Sequence, residues 1–240
     1  LKQKYKHVLL KNEIEWEEGS HDEERILSAI EVIKSPGIPD TAPLILKLLS
    51  QGTSVISEIE FASRYCRAKT IGITGSNGKT STTLLTYHIL KNAGLSVGLG
   101  GNVGKSFAQQ VAEAEFDWYV LELSSFQLDG IKVYKPDISI LLNITPDHLD
   151  RYEDSFEKYA DSKMRIAMNS TKEEVLIYCI DDEAVLAGIE RNKPQATLIP
   201  FSIKKTLEKG AYIDNEQLII NLNNNLFNMS IHDLALQGKH

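Results

Sequence analysis

The stretch T-I-G-I-T-G-S-N-G-K-T-S-T-T-L-L, residues 70–85, constrains the fold more than any other part of the chain. Thr70–Thr74 reads as a strand of the buried type, apolar and β-branched. Gly75 and Gly78 then make a turn, and Thr80–Ala93 carries a helical pattern that Gly94 is placed to end. A strand feeding a helix through a glycine turn is one arm of a parallel α/β sheet. It also offers the orphan amides of a helix N-terminus to an anion. Lys79 and Thr80 stand in the first turn of that helix. There an ammonium can meet phosphate oxygens and a hydroxyl can meet Mg²⁺. The strict phosphate-loop spacing G-x-x-x-x-G-K-[ST] would need glycine at position 73, where Ile73 stands. The bland alternative is a glycine turn that binds nothing. The strand before it, the helix after it and the Lys-Thr pair favour phosphate binding by Gly75, Ser76, Asn77, Gly78, Lys79, Thr80 and Ser81.

Strands and helices alternate on both sides of this arm. Downstream, strands are expected at Leu95–Leu99, Trp118–Leu123, Ile138–Ile144 and Val175–Ile180, with helices at Lys105–Ala114, Ser155–Asn169 and Glu183–Glu190. Beyond Gln195 come short strands, T-L-I-P-F-S, A-Y-I-D, Q-L-I-I-N-L and F-N-M-S, with Asn-rich turns. Upstream, Val8–Leu10 and Glu13–Trp16 read as strands, Glu23–Ile30 as a helix and Glu31–Lys34 as a strand ending in the loop S-P-G-I-P. Thr41–Ser50 reads as a helix, Val55–Ser57 as a strand and Glu58–Cys66 as a helix. The expected class is α/β: an incomplete unit over residues 1–68, then a fuller, mostly parallel sheet over 69–240 with a small antiparallel β region near its end. The boundary is read near Arg67–Lys69.

Composition narrows the function. A net charge of −7 argues against a nucleic-acid partner. No apolar run approaches the roughly 20 residues that span a bilayer. L-K-Q-K-Y-K-H has no apolar segment after it and is not a signal peptide. Cys66 and Cys179 lie far apart and read as two buried thiols in a reducing compartment. The chain begins without Met and is read as a piece of something longer.

Glu122 interrupts the apolar run W-Y-V-L-E-L. A buried glutamate is costly unless it is paired or binds a metal. It is either a core glutamate paired with lysine or arginine, or a metal ligand at the sheet edge that carries the glycine turn, where α/β sheets bind ligands. The metal reading is preferred because a phosphate loop calls for Mg²⁺. A third strand ends in N-I-T-P-D-H-L-D-R-Y and delivers Asp147, His148, Asp150 and Arg151 to one loop. Alone such a loop is only solvated; beside a phosphate loop it reads as active-site lining. Lys163 looks by pattern like its neighbours Lys158 and Arg165.

I-T-G-S-N-G-K-T, G-G-N-V-G, L-E-L-S-S-F-Q-L and N-I-T-P-D-H-L-D-R-Y together resemble, in this order, the motifs of the Mur ligases. L-E-L-S-S-F-Q-L looks like the branch that adds D-glutamate, and K-S-P-G-I-P and V-I-S-E-I-E fit its first domain. The resemblance implies three parts: a Rossmann-like UDP-binding domain, a central ATP-binding domain and a C-terminal domain for the incoming amino acid. This chain resembles the latter part of the first and nearly all of the second; the third is missing, and the chain stops at Q-G-K-H where the family pattern continues. The implied activity moves the γ-phosphate of ATP to the alanine carboxylate of UDP-N-acetylmuramoyl-L-alanine. The amine of D-glutamate then attacks the acyl phosphate, in peptidoglycan precursor synthesis.

By the same resemblance Lys79 holds the ATP phosphates, Thr80 and Glu122 bind one Mg²⁺, and His148 a second. Lys163 matches a lysine that is carbamylated in the family. Gly37 and Asn102 resemble contacts to the UDP diphosphate, and Ser124, Ser125 and Gln127 line the muramoyl-alanine site. A monomer in the bacterial cytoplasm is implied, and the fragment alone is not expected to ligate. A Mur or folylpolyglutamate-type ligase with another acceptor, or a nucleotide-binding module that never ligates, are the alternatives.

Overall fold

The alternation expected from the sequence runs through the computed structural model, which describes residues 3–223 and 225–234. The terminal Q-G-K-H, with His240, lies outside the described residues. The chain divides into two compact units, one ending at Ile56 and the other beginning at Ser57.

The first unit opens with helix α1 (Gln3–Lys11), where a strand was expected over Val8–Leu10. A lone strand would leave its backbone groups to water, whereas the helix satisfies them locally. Glu13–Trp16 is not a strand either. Glu13 turns into the left-handed region at φ 55°. Its N–H donates to Leu10 O at 3.2 Å, and that of Ile14 to Leu9 O at 2.9 Å. These two bonds form a Schellman closure that consumes the backbone a strand would have used. Helix α2 (Glu23–Leu27) is capped by Asp22, whose carboxylate accepts from Arg25 N. Strand β1 (Glu31–Ile33), helix α3 (Pro43–Ser50) and strand β2 (Ser54–Ile56) follow. β1 and β2 pair in parallel, Glu31 opposite Ser54 and Ile33 opposite Ile56. Ile45, Leu48 and Val55 form the core.

The second unit begins with Ser57, expected at a strand end but acting as the N-cap of α4 (Glu58–Ser63). α4 puts Ile59 and Ala62 into the same core as Phe107 and Leu128, which places the unit boundary ahead of Arg67–Lys69. The unit then runs β3 (Lys69–Thr74), α5 (Lys79–Asn92), β4 (Val97–Gly101), α6 (Phe107–Glu113), β5 (Trp118–Glu122), α7 (Ser125–Asp129) and β6 (Ile138–Leu141). A 3-10 turn (Leu149–Tyr152), α8 (Phe156–Met164), β7 (Val175–Cys179), α9 (Glu183–Asn192), β8 (Thr197–Ser202), β9 (Gly210–Asp214), β10 (Gln217–Leu222) and β11 (Asn225–Ser230) complete it.

Among the described residues these strands form one sheet in the order β11-β10-β9-β8-β7-β6-β3-β5-β4. Pairs from β4 through β9 are parallel, and β9-β10-β11 are antiparallel. The strand period of two sorts the side chains between two cores. Tyr119, Leu121 and Leu123 join the side chains of α4, α6, α7, α8 and α9 on one face. Ile71, Ile73 and Val120 pack with Tyr87 and Leu90 of α5 on the other. The chain reaches β4 from β3 before returning to β5, then crosses to β6 on the far side of β3. That reversal makes the C-terminal end of β3 a topological switch point, the place where open α/β sheets receive ligands.

Cys66 and Cys179 are free thiols and half-buried, not fully buried as expected; Cys66 packs against the larger core and Cys179 ends β7. Among the described residues no helix is long and apolar enough to cross a membrane.

Candidate functional site

The glycine turn of residues 75–81 sits at this switch point. Gly78 takes φ 80° and starts α5, a backbone setting that glycine adopts without strain. The first amides of α5 have no intrahelical acceptor, so they remain for an anion. The first half of the turn is already engaged. Ser76 N donates to Asn143 O at 3.0 Å, and Asn77 N to Asn143 Oδ1 at 2.8 Å. Ser76 Oγ donates to Thr145 O and accepts from Thr145 N, both at 2.9 Å. Tyr159 Oη stands 3.0 Å from the same oxygen and must be the donor there, since a hydroxyl has one proton. Of the residues expected to cradle phosphate, Ser76 and Asn77 therefore brace the turn, and Gly78, Lys79, Thr80 and Ser81 carry the amides that face outward from the helix start.

Two lysines converge on one carbonyl. Lys79 Nζ donates to Gly75 O at 2.8 Å and Ser76 O at 3.0 Å, and Lys163 Nζ donates to Gly75 O at 2.9 Å. Lys163 is only 2% exposed, with its ammonium 4.6 Å from the Tyr159 ring centroid. Burial, and then the neighbouring charge of Lys79, push the Lys163 amine down to about 7, against the pull of Asp147 and Asp129. An amine with that pKa is partly neutral, and in that form nucleophilic, near pH 7.

Glu122 ends β5 on the α5 side of the sheet, 2% exposed. Its Oε2 accepts from Thr80 Oγ1 and its Oε1 from Asn102 Nδ2, both at 2.7 Å. Asn102 N also donates to Glu122 O at 2.8 Å. Gly101 makes this approach possible at φ 90°, because a Cβ there would fall 2.2 Å from Glu122 O. Among the described residues Glu122 meets no lysine or arginine, so the ion-paired core alternative is set aside. A buried carboxylate held only by neutral donors is short of positive charge.

Among the described residues no three His, Cys, Asp or Glu converge on one point. Thr80 and Glu122 fit a site of another kind, in which Mg²⁺ takes a hydroxyl, one carboxylate, phosphate oxygens and water. His148 follows at φ 49°, exposed, with Nε2 3.5 Å from Asp147 Oδ2 and its ring 5.3 Å from that of Phe126. Its loop is joined to the turn through Asn143 and Thr145, but the contacts of its own ring are with Asp147 and Phe126, not with Glu122. Arg151 lies over the other neighbour, 4.4 Å from the Phe126 centroid.

Ser124 caps α7, and its side chain forms a capping box with Gln127: Gln127 N donates to Ser124 Oγ, while Ser124 N and Oγ donate to Gln127 Oε1. Ser125 and Gln127 are buried. Gly37 belongs to the first unit, in an exposed loop held by Lys34 Nζ, which donates to Ile38 O at 2.7 Å and pairs with Asp40 at 2.9 Å. Asn143, Thr145 and Tyr159 went unmarked in the sequence. Tyr159 carried one usable signal: it precedes Lys163 by four residues and so shares its helix face.

A model of the Mur ligase middle domain matches residues 73–240. The UDP-N-acetylmuramoylalanine–D-glutamate ligase of Christiangramia forsetii is 55% identical over 240 residues, covering all of this chain and 54% of the relative. The enzyme of that name from Bacteroides fragilis is 53% identical over the same span, also 54% of its length. The chain thus spans about half the length of the curated relatives it matches. Among solved structures, the UDP-N-acetylmuramate:L-alanyl-gamma-D-glutamyl-meso-diaminopimelate ligase from Neisseria meningitides aligns with TM-score 0.61 at 16% identity, covering 100% of this chain and 78% of that one. A MurF ligase from Thermotoga maritima in complex with ADP aligns with TM-score 0.52 at 20% identity, covering 88% and 59%.

Proposed function

The chain belongs to the Mur ligase family, and from that premise we propose that its parent protein joins D-glutamate to UDP-N-acetylmuramoyl-L-alanine at the expense of ATP. The observation that carries the phosphoryl-transfer part is the buried Glu122 carboxylate on Thr80, at the start of the helix that bears Lys79. The names of relatives 50–55% identical across the chain support the substrates, and the ADP-bound neighbour supports the nucleotide.

In this reading the turn is a P-loop, with ATP phosphates on the amides of Gly78–Ser81. Lys79 leaves the Gly75 and Ser76 carbonyls to meet the phosphates, exchanging two neutral acceptors for an anion. Thr80 and Glu122 would hold Mg²⁺, and His148 would serve a second ion. Magnesium, when bound, offsets charge on the transferring phosphoryl group. Lys79 stabilises the same charge as it passes to the alanine carboxylate, giving an acyl phosphate. The amine of D-glutamate attacks that carbonyl carbon, and the tetrahedral intermediate expels phosphate to leave an amide. The neutral form of the Lys163 amine would add to CO₂ and release a proton, giving a carbamate anion that would serve the metals.

The first unit acts as the latter part of a Rossmann-like UDP-substrate unit, and the second as the ATP-binding domain. Asn102 serves the UDP diphosphate from its place beside Glu122, and Ser124, Ser125 and Gln127 present the α7 start to the muramoyl-alanine. The rest of the parent's length supplies the amino-acid site. The parent works as a monomer in the bacterial cytoplasm.

The test is phosphate release by the full-length parent with ATP, Mg²⁺ and UDP-N-acetylmuramoyl-L-alanine, with and without D-glutamate. Release requires both the nucleotide sugar and D-glutamate, and Lys79→Ala lowers it by about 10²- to 10³-fold. Turnover indifferent to both substrates overturns the assignment.

A further inference from the structure

We propose that Asn143 is a positioning residue of the phosphate turn, clamping the main-chain N–H and C=O of Asn77 and so the two successive peptides that meet there; the inference rests on the nucleotide reading above. Asn143 follows β6, where an extended strand was expected to continue to Ile144. Leaving the strand frees its side chain to reach the turn. Oδ1 accepts from Asn77 N at 2.8 Å and Nδ2 donates to Asn77 O at 3.1 Å. Asn77 Nδ2 in turn donates to Thr145 Oγ1 at 3.2 Å.

The second bond sets the direction of an amide that Asn143 never touches. The Asn77 carbonyl and the Gly78 N–H belong to one peptide plane, and in a trans peptide they point in opposite directions. Holding the carbonyl on Asn143 turns the Gly78 N–H away from it, toward the open side of the turn at the α5 N-terminus. The first bond occupies the Asn77 N–H, which removes it from the cradle. A carboxamide alone among side chains of this size offers both a donor and an acceptor in one plane. Asn143 thereby preorganises the anion-facing half of the turn. Through its main-chain carbonyl on Ser76 N, it also ties the turn to the loop leading to His148.

The experiment uses the full-length parent. ATP binding is measured by titration calorimetry with Mg²⁺ for wild type, Lys79→Ala, Asn143→Ala and Asn143→Leu, the last preserving bulk without hydrogen bonds. The KM for UDP-N-acetylmuramoyl-L-alanine and backbone amide exchange at residues 76 and 77 are followed alongside. Both Asn143 variants are expected to bind ATP on the order of tenfold more weakly, the worth of one to two hydrogen bonds. The KM for the nucleotide sugar stays as in wild type. The Asn77 amide exchanges faster, while the Ser76 amide, held by a main-chain carbonyl, stays protected. ATP affinity within about twofold of wild type in both variants overturns the proposal, since a lost hydrogen bond is worth more than that. So does a parallel loss of ATP, nucleotide-sugar binding and Tm, which is the mark of general loosening. Wild type that binds no ATP, or Lys79→Ala that binds as wild type does, defeats the nucleotide reading instead.

Discussion

Two glutamates of the second unit are equally deep and do opposite things. Glu60 on α4 is 0% exposed, and Glu122 at the end of β5 is 2% exposed. Glu60 Oε2 accepts three successive main-chain amides, from Lys132, Val133 and Tyr134, at 2.9, 3.0 and 2.9 Å. The Arg64 guanidinium lies 3.7 Å from Oε1. Those donors are fixed in the backbone and all serve Oε2; among the described residues Oε1 accepts no hydrogen bond and has only the charge of Arg64 beside it. Glu122 has one side-chain hydroxyl and one side-chain amide, both neutral and both able to rotate. Burial therefore does not separate a structural carboxylate from a reactive one. The donor set does: Glu60 has three main-chain amides on one oxygen and a guanidinium near the other, whereas Glu122 is held by neutral side chains and, among the described residues, has no cation of the fold beside it.

The sharpest way to break this contrast is Glu122→Gln. The amide keeps the size and loses the charge that holds a metal. Phosphate release by the full-length parent is expected to fall about 10²- to 10³-fold, while Tm moves by only a few degrees, as for a change within about 1 kcal/mol. Activity that survives Glu122→Gln would mean the carboxylate is structural after all. Glu60→Gln is the mirror experiment. Weakening three charge-assisted bonds is expected to cost about 1–3 kcal/mol of stability, measured by urea denaturation. Turnover per folded molecule stays near wild type. A Glu60→Gln protein of normal stability but lost activity would erase the distinction.

The contrast also shows what a sequence can and cannot reveal here. Glu122 was legible because a charge interrupts an apolar strand, where the period of two leaves no polar side. Glu60 was not, because polar residues are ordinary on a helix and its amide partners lie 72 to 74 positions away. Asn143 was hidden for the same reason, its partner Asn77 being 66 positions distant. The alternation of elements was readable from local pattern, from β3 through the short strands after Gln195. The strand expected at Val8–Leu10 failed because nothing local distinguishes a short apolar run in a helix from one in a strand. Lys163 is the plainest case. Lys158 on the same helix is solvent-exposed and pairs with Glu153, while Lys163 is enclosed. Only the packing of α8 against the glycine turn separates them.

Lys163 extends the contrast to a buried cation, with a smaller expected effect. Its folded pKa is lowered to about 7 from 10.5. Between those values the unfolded chain holds the proton and the folded chain does not, so stability rises with pH across the window. Below about pH 7 both states are charged, and the burial penalty is present in full. Lys163→Met removes the titration and keeps an unbranched chain of similar length. The Tm of wild type minus that of the variant is therefore expected to grow steadily from pH 7 toward pH 10 in scanning calorimetry. Taking the difference cancels groups that titrate alike in both proteins. A flat difference would place the amine in contact with solvent and make it an ordinary lysine. A rising one leaves a neutral amine beside the turn, and the same sample exposed to ¹³C-labelled bicarbonate should then show a carbamate signal that Lys163→Met lacks.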